Sequence, residues 1–492
     1  MIPLIDRVRA LLDEAVGRSP APVSDRLRAA RLALDEPLKV AVAGRVKAGK
    51  STLVNALIGD EVAPTDAGEC TRIVTWYRDG VSYRVEATIG SATVPLRFSR
   101  ADGVLEIDLE GREAGEIDRL DVTWPTAALR AHTIIDTPGI GSIDTEVGAA
   151  TTRFLTPEDE RSTEADAVLY LMRHVHRDDI DFLEAFHDES VSRATPLNAI
   201  GVLSRADEIG VGRLDAVESA AAIAARYERR PEIRRLCAGV VPVAGLVAQA
   251  AAGLREVEYR ALGALSQLPS DDLEPLLWSA DRFREPDATV VLTGEERALL
   301  LERFGLFGIR CAVDALRTGR ATSATGLAGV LLDASGLTTL RRRLDESFTR
   351  RRDLLKVRSA LAEIEALAGA GMLDGDVVAR AEEIRAGAHE LTEARALAAL
   401  RAGRVRLPEQ SRDALERLLG ADGDAAHIRL GLPADTPAAD LLAAAHQELA
   451  RQRSLAEQPT SSAARRELAG VAARTCEGLI FALGAHQQGV VR

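Results

Sequence analysis

Apolar residues recur at three-and-four spacing from Leu4 to Gly17 and again from Ser24 to Leu34, which predicts two helices separated by the breaker run Ser19-Pro20-Ala21-Pro22. The rhythm then changes. Leu38 to Ala43 reads LKVAVA, a compact β-type run, and is followed by glycines and a helical pattern from Lys50 to Ile58, so a strand, a loop and a helix succeed one another. From Ile73 to Ile107 the chain is β-rich, with Asp79-Gly80 and Gly90-Ser91 as turn signals. Further strands are predicted at Leu120–Trp124 and His132–Ile135, and helix-length segments separate apolar runs at Ala167–Met172, Leu197–Leu203 and Gly239–Val243. Strands alternating with helices predict an α/β domain with a mostly parallel sheet and helices on both faces.

After Gly245 the β signal disappears. Ala, Leu, Arg and Glu then recur at helical spacing, without interruption from Leu337 to Leu367 and again over Asp376–Leu400, Asp440–Leu455 and Ser462–Leu483. Turns between long helices are expected at Ala368–Gly375 and around Gly420–Asp435. A chain of 492 residues exceeds what one core usually spans. The pattern divides it into N-terminal helices (1–36) that pack with a helical neck, a strand-containing domain (37–340) and an all-α neck and stalk bundle (341–492).

Composition narrows the functional classes. Sixty-two basic against seventy-five acidic residues give a net charge of −13, which argues against a chain-wide polyanion binder, and 3% aromatics leave no base-stacking platform. No nucleic-acid partner is expected. Cys70, Cys237, Cys311 and Cys476 stand far apart without a CxxC pair, as in a chain of the reducing cytosol. The charged start, Met1 to Val16, does not read as a secretory segment. The charge-free stretch Leu236–Leu254 contains Pro242, Gln249 and three glycines, and reads as a buried strand turning into a helix. Any membrane association is therefore expected to be peripheral.

The loop after the first strand, Gly44-Arg45-Val46-Lys47-Ala48-Gly49-Lys50-Ser51, satisfies GxxxxGK[ST] in the strand-to-helix context that the chemistry requires. Glycines let backbone amides curl around phosphates, Lys50 reaches the β- and γ-phosphates, and the Ser51 hydroxyl, followed by Thr52, is placed to bind Mg²⁺. Only four lysines, Lys39, Lys47, Lys50 and Lys356, stand among the sixty-two basic residues, and two of them lie in this loop. Where arginine fills nearly every other basic position, a retained lysine marks a place where a compact ammonium is needed.

Asp136-Thr137-Pro138-Gly139 follows the strand His132–Ile135, which places a carboxylate at a strand's C-terminal end. Alone it is an ordinary turn. Downstream of a phosphate loop, Asp136 would hold Mg²⁺ through water and the Gly139 amide could meet the γ-phosphate. Ser204-Arg205-Ala206-Asp207 resembles the guanine-reading [NT]KxD with two departures. A carboxylate at Asp207 accepts from guanine N1–H and N2–H₂, which adenine cannot offer. Val243-Ala244-Gly245 is a weak match to the last base loop, whose amide would meet the base O6. Of the threonines between the two phosphate motifs, Thr65, Thr71 and Thr75, the choice for a metal-sensing residue is Thr71, since Thr75 would be buried within the following strand.

These elements, with the stretches KAGKSTLVNAL, APTDAGECTRIVTW, SRADEIG, VVPVAGL and LERFGLFGIR ahead of a helical half, resemble the dynamin-like family, and within it the actinobacterial isoniazid-inducible group. The resemblance implies Mg²⁺-dependent hydrolysis of GTP to GDP, self-association through GTPase domains, a paralogous dynamin-like partner, and peripheral binding and remodelling of an anionic phospholipid membrane from the cytoplasmic face. It assigns Lys47, Lys50, Thr71 and Gly139 to catalysis and Ser51, Thr71 and Asp136 to the metal. One departure matters. Many eukaryotic dynamins carry a water-positioning Gln where this chain has Val46, which leaves Lys47 as a cation that could act on the phosphates in cis. The basic cluster Arg341, Arg342, Arg343, Arg350, Arg351, Arg352, Lys356 and Arg358 could meet anionic lipid, or serve as ion-pair partners for Asp345, Glu346 and Asp353. The alternative to a mechanoenzyme is a switch of the Era or septin kind, acting on a protein or RNA partner without deforming lipid.

Overall fold

The computed structural model describes residues 3–64, 72–90, 92–101, 104–139, 165–173, 180, 183, 198–210, 212–285 and 290–489. Among them the strands are β1 (Leu38–Gly44), β2 (Thr75–Arg78), β3 (Arg84–Ile89), β4 (Ala92–Pro95), β5 (Arg97–Ala101), β6 (Val104–Asp108), β7 (Arg119–Thr123), β8 (His132–Asp136), β9 (Ala167–Met172), β10 (Ala199–Ser204) and β11 (Val240–Val243). Nine form one sheet in the order β11-β10-β9-β1-β8-β2-β7-β3-β4, and β5 and β6 make a separate hairpin. From β11 to β8 every neighbour is parallel. Beyond β8 the sheet is mixed: β2 runs antiparallel to β8 and parallel to β7, and β3 is antiparallel to both β7 and β4. The short turn between β3 and β4 has no room for the crossover that parallel neighbours need.

Strand alternation distributes the core over two faces. Val40 and Val42 bury with Leu53, Ile134, Leu169, Val202 and Val241 on one face, and Ala41 and Ala43 bury with Ile135, Val168, Tyr170 and Ala220 on the other. Register then aligns the strand ends. Val42 lies opposite Asp136, Gly44 opposite Leu171, Leu203 opposite Met172, and Ser204 opposite Val243. The C-terminal ends of all five parallel strands thus share one rim, where ligands bind in open α/β sheets.

The stretch Leu236–Leu254 is a strand (β11) followed by the helix Gly245–Ala252, as its interrupted pattern predicts. The helices Glu256–Ser266, Gly294–Arg317 and Ala324–Ala334 share a core of their own around Leu262, Leu300, Phe304 and Leu327. The run Leu337–Leu367, expected to be unbroken, is two helices, Leu337–Ser347 and Arg352–Gly369, joined by a 3-10 turn at Thr349–Arg351. Phe348 is the reason. Its fully buried ring joins Leu337, Leu340, Leu344 and Leu355 in the sheet's own core, and the chain turns around it. A boundary after residue 340 would cut the first of these helices. Likewise Asp376–Leu400 is two helices, Gly375–Gly387 and His389–Arg401, separated at Ala388. The N-terminal helices Leu4–Arg18 and Ala21–Ala33 bury Val8, Leu11, Leu12 and Leu27 against Val357, Ile364 and Leu367. No helix among the described residues is long and apolar enough to cross a membrane.

The basic cluster is largely spent inside the chain. Arg341 donates to the carbonyls of Ala56 (2.9 Å) and Leu57 (3.3 Å), at the end of the helix Lys50–Ile58. Arg352 donates to Leu34 O and Glu36 O, Arg351 pairs with Asp424, and Arg342 and Arg350 pair with Glu346 and Asp345. Arg358 is half-buried, and desolvation pushes its pKa down to about 10. Lys356, 1% exposed, sits 2.7 Å from Asp166, which also accepts from the Lys39 amide and the Ser359 hydroxyl. Arg341, Arg351, Arg352 and Lys356 thus lie in a seam between the sheet domain and the helical region, whereas Arg342 and Arg350 pair at the surface. Because the Lys356–Asp166 pair is buried, Asp166→Ala leaves an uncompensated ammonium and should cost about 3–5 kcal/mol in urea unfolding. The double substitution Asp166→Asn with Lys356→Met should recover much of that loss, and a single variant as stable as the wild type would show the pair to be idle.

Candidate functional site

The phosphate-loop segment leaves β1 at the shared rim. Gly44 has φ +149° and lies against β9, where a Cβ would come within 2.6 Å of the Leu171 carbonyl oxygen. The loop turns on a hydrogen bond from Ala48 N–H to Arg45 O (3.1 Å), and Lys47 adopts the left-handed conformation at φ 62°. Gly49, at φ +92°, then opens the helix Lys50–Ile58, so the unpaired amides of a helix N-terminus begin directly at the loop. The half-buried Lys50 ammonium donates to Arg45 O at 3.2 Å, and burial lowers its pKa while Asp136 opposes the shift. Arg45, Val46 and Lys47 are exposed.

Asp136 ends β8 beside this loop. Its Oδ2 accepts from the Ser51 hydroxyl at 2.8 Å, whereas its Oδ1 is buried without a hydrogen-bond partner. Burial raises its pKa to about 6, against the pull of Lys50 and Ser51. An orphaned carboxylate oxygen beside a hydroxyl is the donor chemistry of a hard divalent cation, so the two residues fit Mg²⁺. Thr137 is buried and donates both its amide (3.3 Å) and its hydroxyl (2.9 Å) to Val42 O, which fixes the start of the loop to β1. At Gly139 a Cβ would lie 2.6 Å from Val46 Cγ2 and 2.8 Å from Val46 Cα, so the loop carrying Pro138 and Gly139 closes directly on the phosphate loop. Thr71, like Thr65, lies outside the described residues.

Next along the rim a cavity of about 220 Å³ is lined by Ala48, Gly49, Thr52, Leu171, Ser204, Arg205, Asp207, Val243 and Gly245, among others. It joins three motifs that stand nearly two hundred residues apart. Asp207 is half-buried, and desolvation raises its pKa. The Ser204 hydroxyl is turned to Met172 O at 3.4 Å. In the Val243–Gly245 loop the Ala244 amide donates to Ser335 O at 2.9 Å, while the Gly245 amide, at the first position of the next helix, has no intrahelical acceptor. The cavity also includes Leu53, Val202, Leu246 and Glu208, which motif reading did not single out. Glu208 was visible as the last letter of SRADE; the apolar lining carries no motif, only strand ends and helix starts.

A family model described as the dynamin family matches residues 40–204. The isoniazid-induced protein IniC of Mycobacterium tuberculosis, in strains CDC 1551 / Oshkosh and ATCC 25618 / H37Rv, is 38% identical over 499 residues, covering 98% of this chain and 99% of its own. A bacterial dynamin-like protein of Nostoc punctiforme is 28% identical over 120 residues, covering 22% of this chain and 17% of its own. A solved chain of an oligomerised bacterial dynamin pair overlays 99% of this chain and 75% of its own at 12% identity, with a TM-score of 0.30, too loosely to transfer geometry.

The raised pKa of Asp136 has a sign that can be tested without ligand. Folded, the carboxyl titrates near 6; its ordinary value is 3.8. Its contribution is fully present below the unfolded value and is lost as pH rises through about 6. Between pH 4 and pH 8 the ligand-free wild type should lose on the order of 3 kcal/mol relative to Asp136→Asn in denaturant unfolding. Parallel pH curves for the two proteins would show that this carboxylate is not strained by burial.

Proposed function

The chain belongs to the isoniazid-induced IniC group of the dynamin family, whose members are GTP hydrolases, and from that premise we propose how it binds its nucleotide and what the hydrolysis drives. The observation that supports the reading is the rim itself: the phosphate loop shares one cavity with the Ser204–Asp207 loop and meets the Asp136 loop through Ser51 and Val46. The triphosphate lies over residues 44–51, with Thr52 beside the ribose end, and Lys50 exchanges the Arg45 carbonyl for phosphate oxygens. Asp207 accepts two hydrogen bonds from guanine while Arg205 covers the base, and the Gly245 amide faces O6.

Ser51 and, through water, Asp136 would hold Mg²⁺, with Thr71 as a third contact; the ion supplies neutralisation of the phosphate oxygens. Gly139, which closes on Val46, offers its amide to the γ-phosphate. Val46 has no group to orient water, so Lys47 is assigned the task of countering charge as the terminal phosphate departs. Glycines at 44 and 139 matter because side chains there would block the close approach of the two loops.

The remainder of the chain gives this hydrolysis something to act on. A switch needs little beyond its sheet domain, whereas here a helical half continues from the seam near Phe348 and Arg352 to residue 489. We place the neck there, together with residues 1–36, and assign GTP-linked association of GTPase domains to tethering or reshaping an anionic membrane from its cytoplasmic face, with a paralogous dynamin-like chain as a further partner.

Three measurements follow. Asp207→Asn should exchange preference from GTP to xanthosine triphosphate by at least a hundredfold in kcat/KM, and a variant that keeps its GTP preference would overturn the base assignment. Lys47→Ala at saturating GTP should slow single-turnover hydrolysis about a hundredfold with little change in GDP affinity; an unaltered rate removes Lys47 from catalysis. Sedimentation with phosphatidylglycerol-containing liposomes should bring the protein down more strongly with GTP than with GDP. Absence of lipid binding in either state would favour the switch.

A further inference from the structure

Arg205 departs from the lysine usual at its position, and its surroundings say why. The residue is left-handed at φ 55°, as is Lys47 at φ 62°. From there its guanidinium reaches two acceptors on different elements. Nη2 donates to the carbonyl oxygen of Lys47 at 3.2 Å, and Nη1 donates to Glu208 Oε1 at 2.8 Å. The second oxygen of Glu208 accepts from Arg173, the residue after β9, at 2.7 Å. A three-member chain, Arg173–Glu208–Arg205, therefore ends on the backbone of the phosphate loop.

From this juxtaposition we infer that Glu208, braced by Arg173, is a positioning residue that aims Arg205 as a strut between the base loop and the phosphate loop, and thereby slows release of guanine nucleotide. The inference rests on the base-loop reading given above. A guanidinium presents its two Nη groups in a fixed fork, one to each acceptor, whereas an ammonium would have to serve both from a single nitrogen. The Lys47 carbonyl is the natural anchor, because a non-glycine residue in the left-handed region carries a conformational cost and persists only where its surroundings hold it. Holding that peptide keeps the loop's amides aimed at the phosphates, so an interaction made at the base end acts on the phosphate end.

The three side chains are 40–51% exposed. A single pair so exposed contributes little on its own, and salt screens it. That exposure supplies a diagnostic that a purely structural residue would not show. Release of a fluorescent GDP analogue should be about three- to tenfold faster from Glu208→Gln than from the wild type at 50 mM salt, with thermal midpoints unchanged. Raising salt to 1 M should speed the wild type toward the variant and leave the variant nearly unaffected. Arg173→Ala should give a smaller acceleration of the same kind, and Glu208→Gln combined with Arg205→Ala should release no faster than Arg205→Ala alone. Unchanged release from Glu208→Gln, or fully additive effects in the double variant, would overturn the strut. If that happened while Asp207→Asn still exchanged GTP for xanthosine triphosphate, base reading by Asp207 would stand and only the strut would fall.

Discussion

The site depends on how closely β1 passes β9 where the phosphate loop begins. At Gly44 the two strands leave no room for a Cβ, since the Leu171 carbonyl would stand 2.6 Å from it. Because the strand stays in the sheet to its last residue, the loop departs two positions beyond the level of Asp136 on one side and two short of the level of Ser204, two strands away on the other. Every later feature of the rim uses that alignment. The Ser51 hydroxyl meets Asp136, Gly139 closes on Val46, and the Lys47 carbonyl comes within reach of Arg205. A larger residue at 44 would displace the loop and separate all three contacts together.

The parallel half of the fold was legible because its strands are buried on both faces and read as continuous apolar runs; Leu38–Ala43, Ala167–Met172 and Gly239–Val243 each appear within a residue or two. The helical half was less so. Periodicity across Leu337–Leu367 and Asp376–Leu400 cannot reveal a break whose cause is tertiary, such as Phe348 turning into the sheet's core or the backbone opening at Ala388. Of the site, the glycines and charged letters were visible from spacing alone. Leu171, Val202 and Leu246 were not, because an apolar cavity wall looks the same in sequence as any other core. The engaged amide of Ala244 was hidden as well, since its acceptor, Ser335, lies ninety residues onward.

The arginine-rich composition acquires a structural reason. A guanidinium can serve several acceptors at once, and this chain uses that capacity where elements meet: Arg341 on the end of the phosphate-loop helix, Arg352 on the chain entering β1, and Arg401 between Glu416 and the Cys237 carbonyl. The first of these matters for function. Nucleotide is proposed to sit at the N-terminus of the helix Lys50–Ile58, and Arg341, from the helix that leads to the seam, holds its C-terminus. A shift in that helix would reach the helical region beyond Phe348 through few intermediates.

The most direct measurement is isothermal titration calorimetry of the full chain with a slowly hydrolysed GTP analogue, with and without magnesium. The account predicts saturable binding of one nucleotide per chain, weakened at least tenfold when magnesium is withheld and abolished in Lys50→Ala. Folded wild-type protein that gives no heat with the magnesium-bound analogue, or that binds ATP and GTP equally, would contradict it.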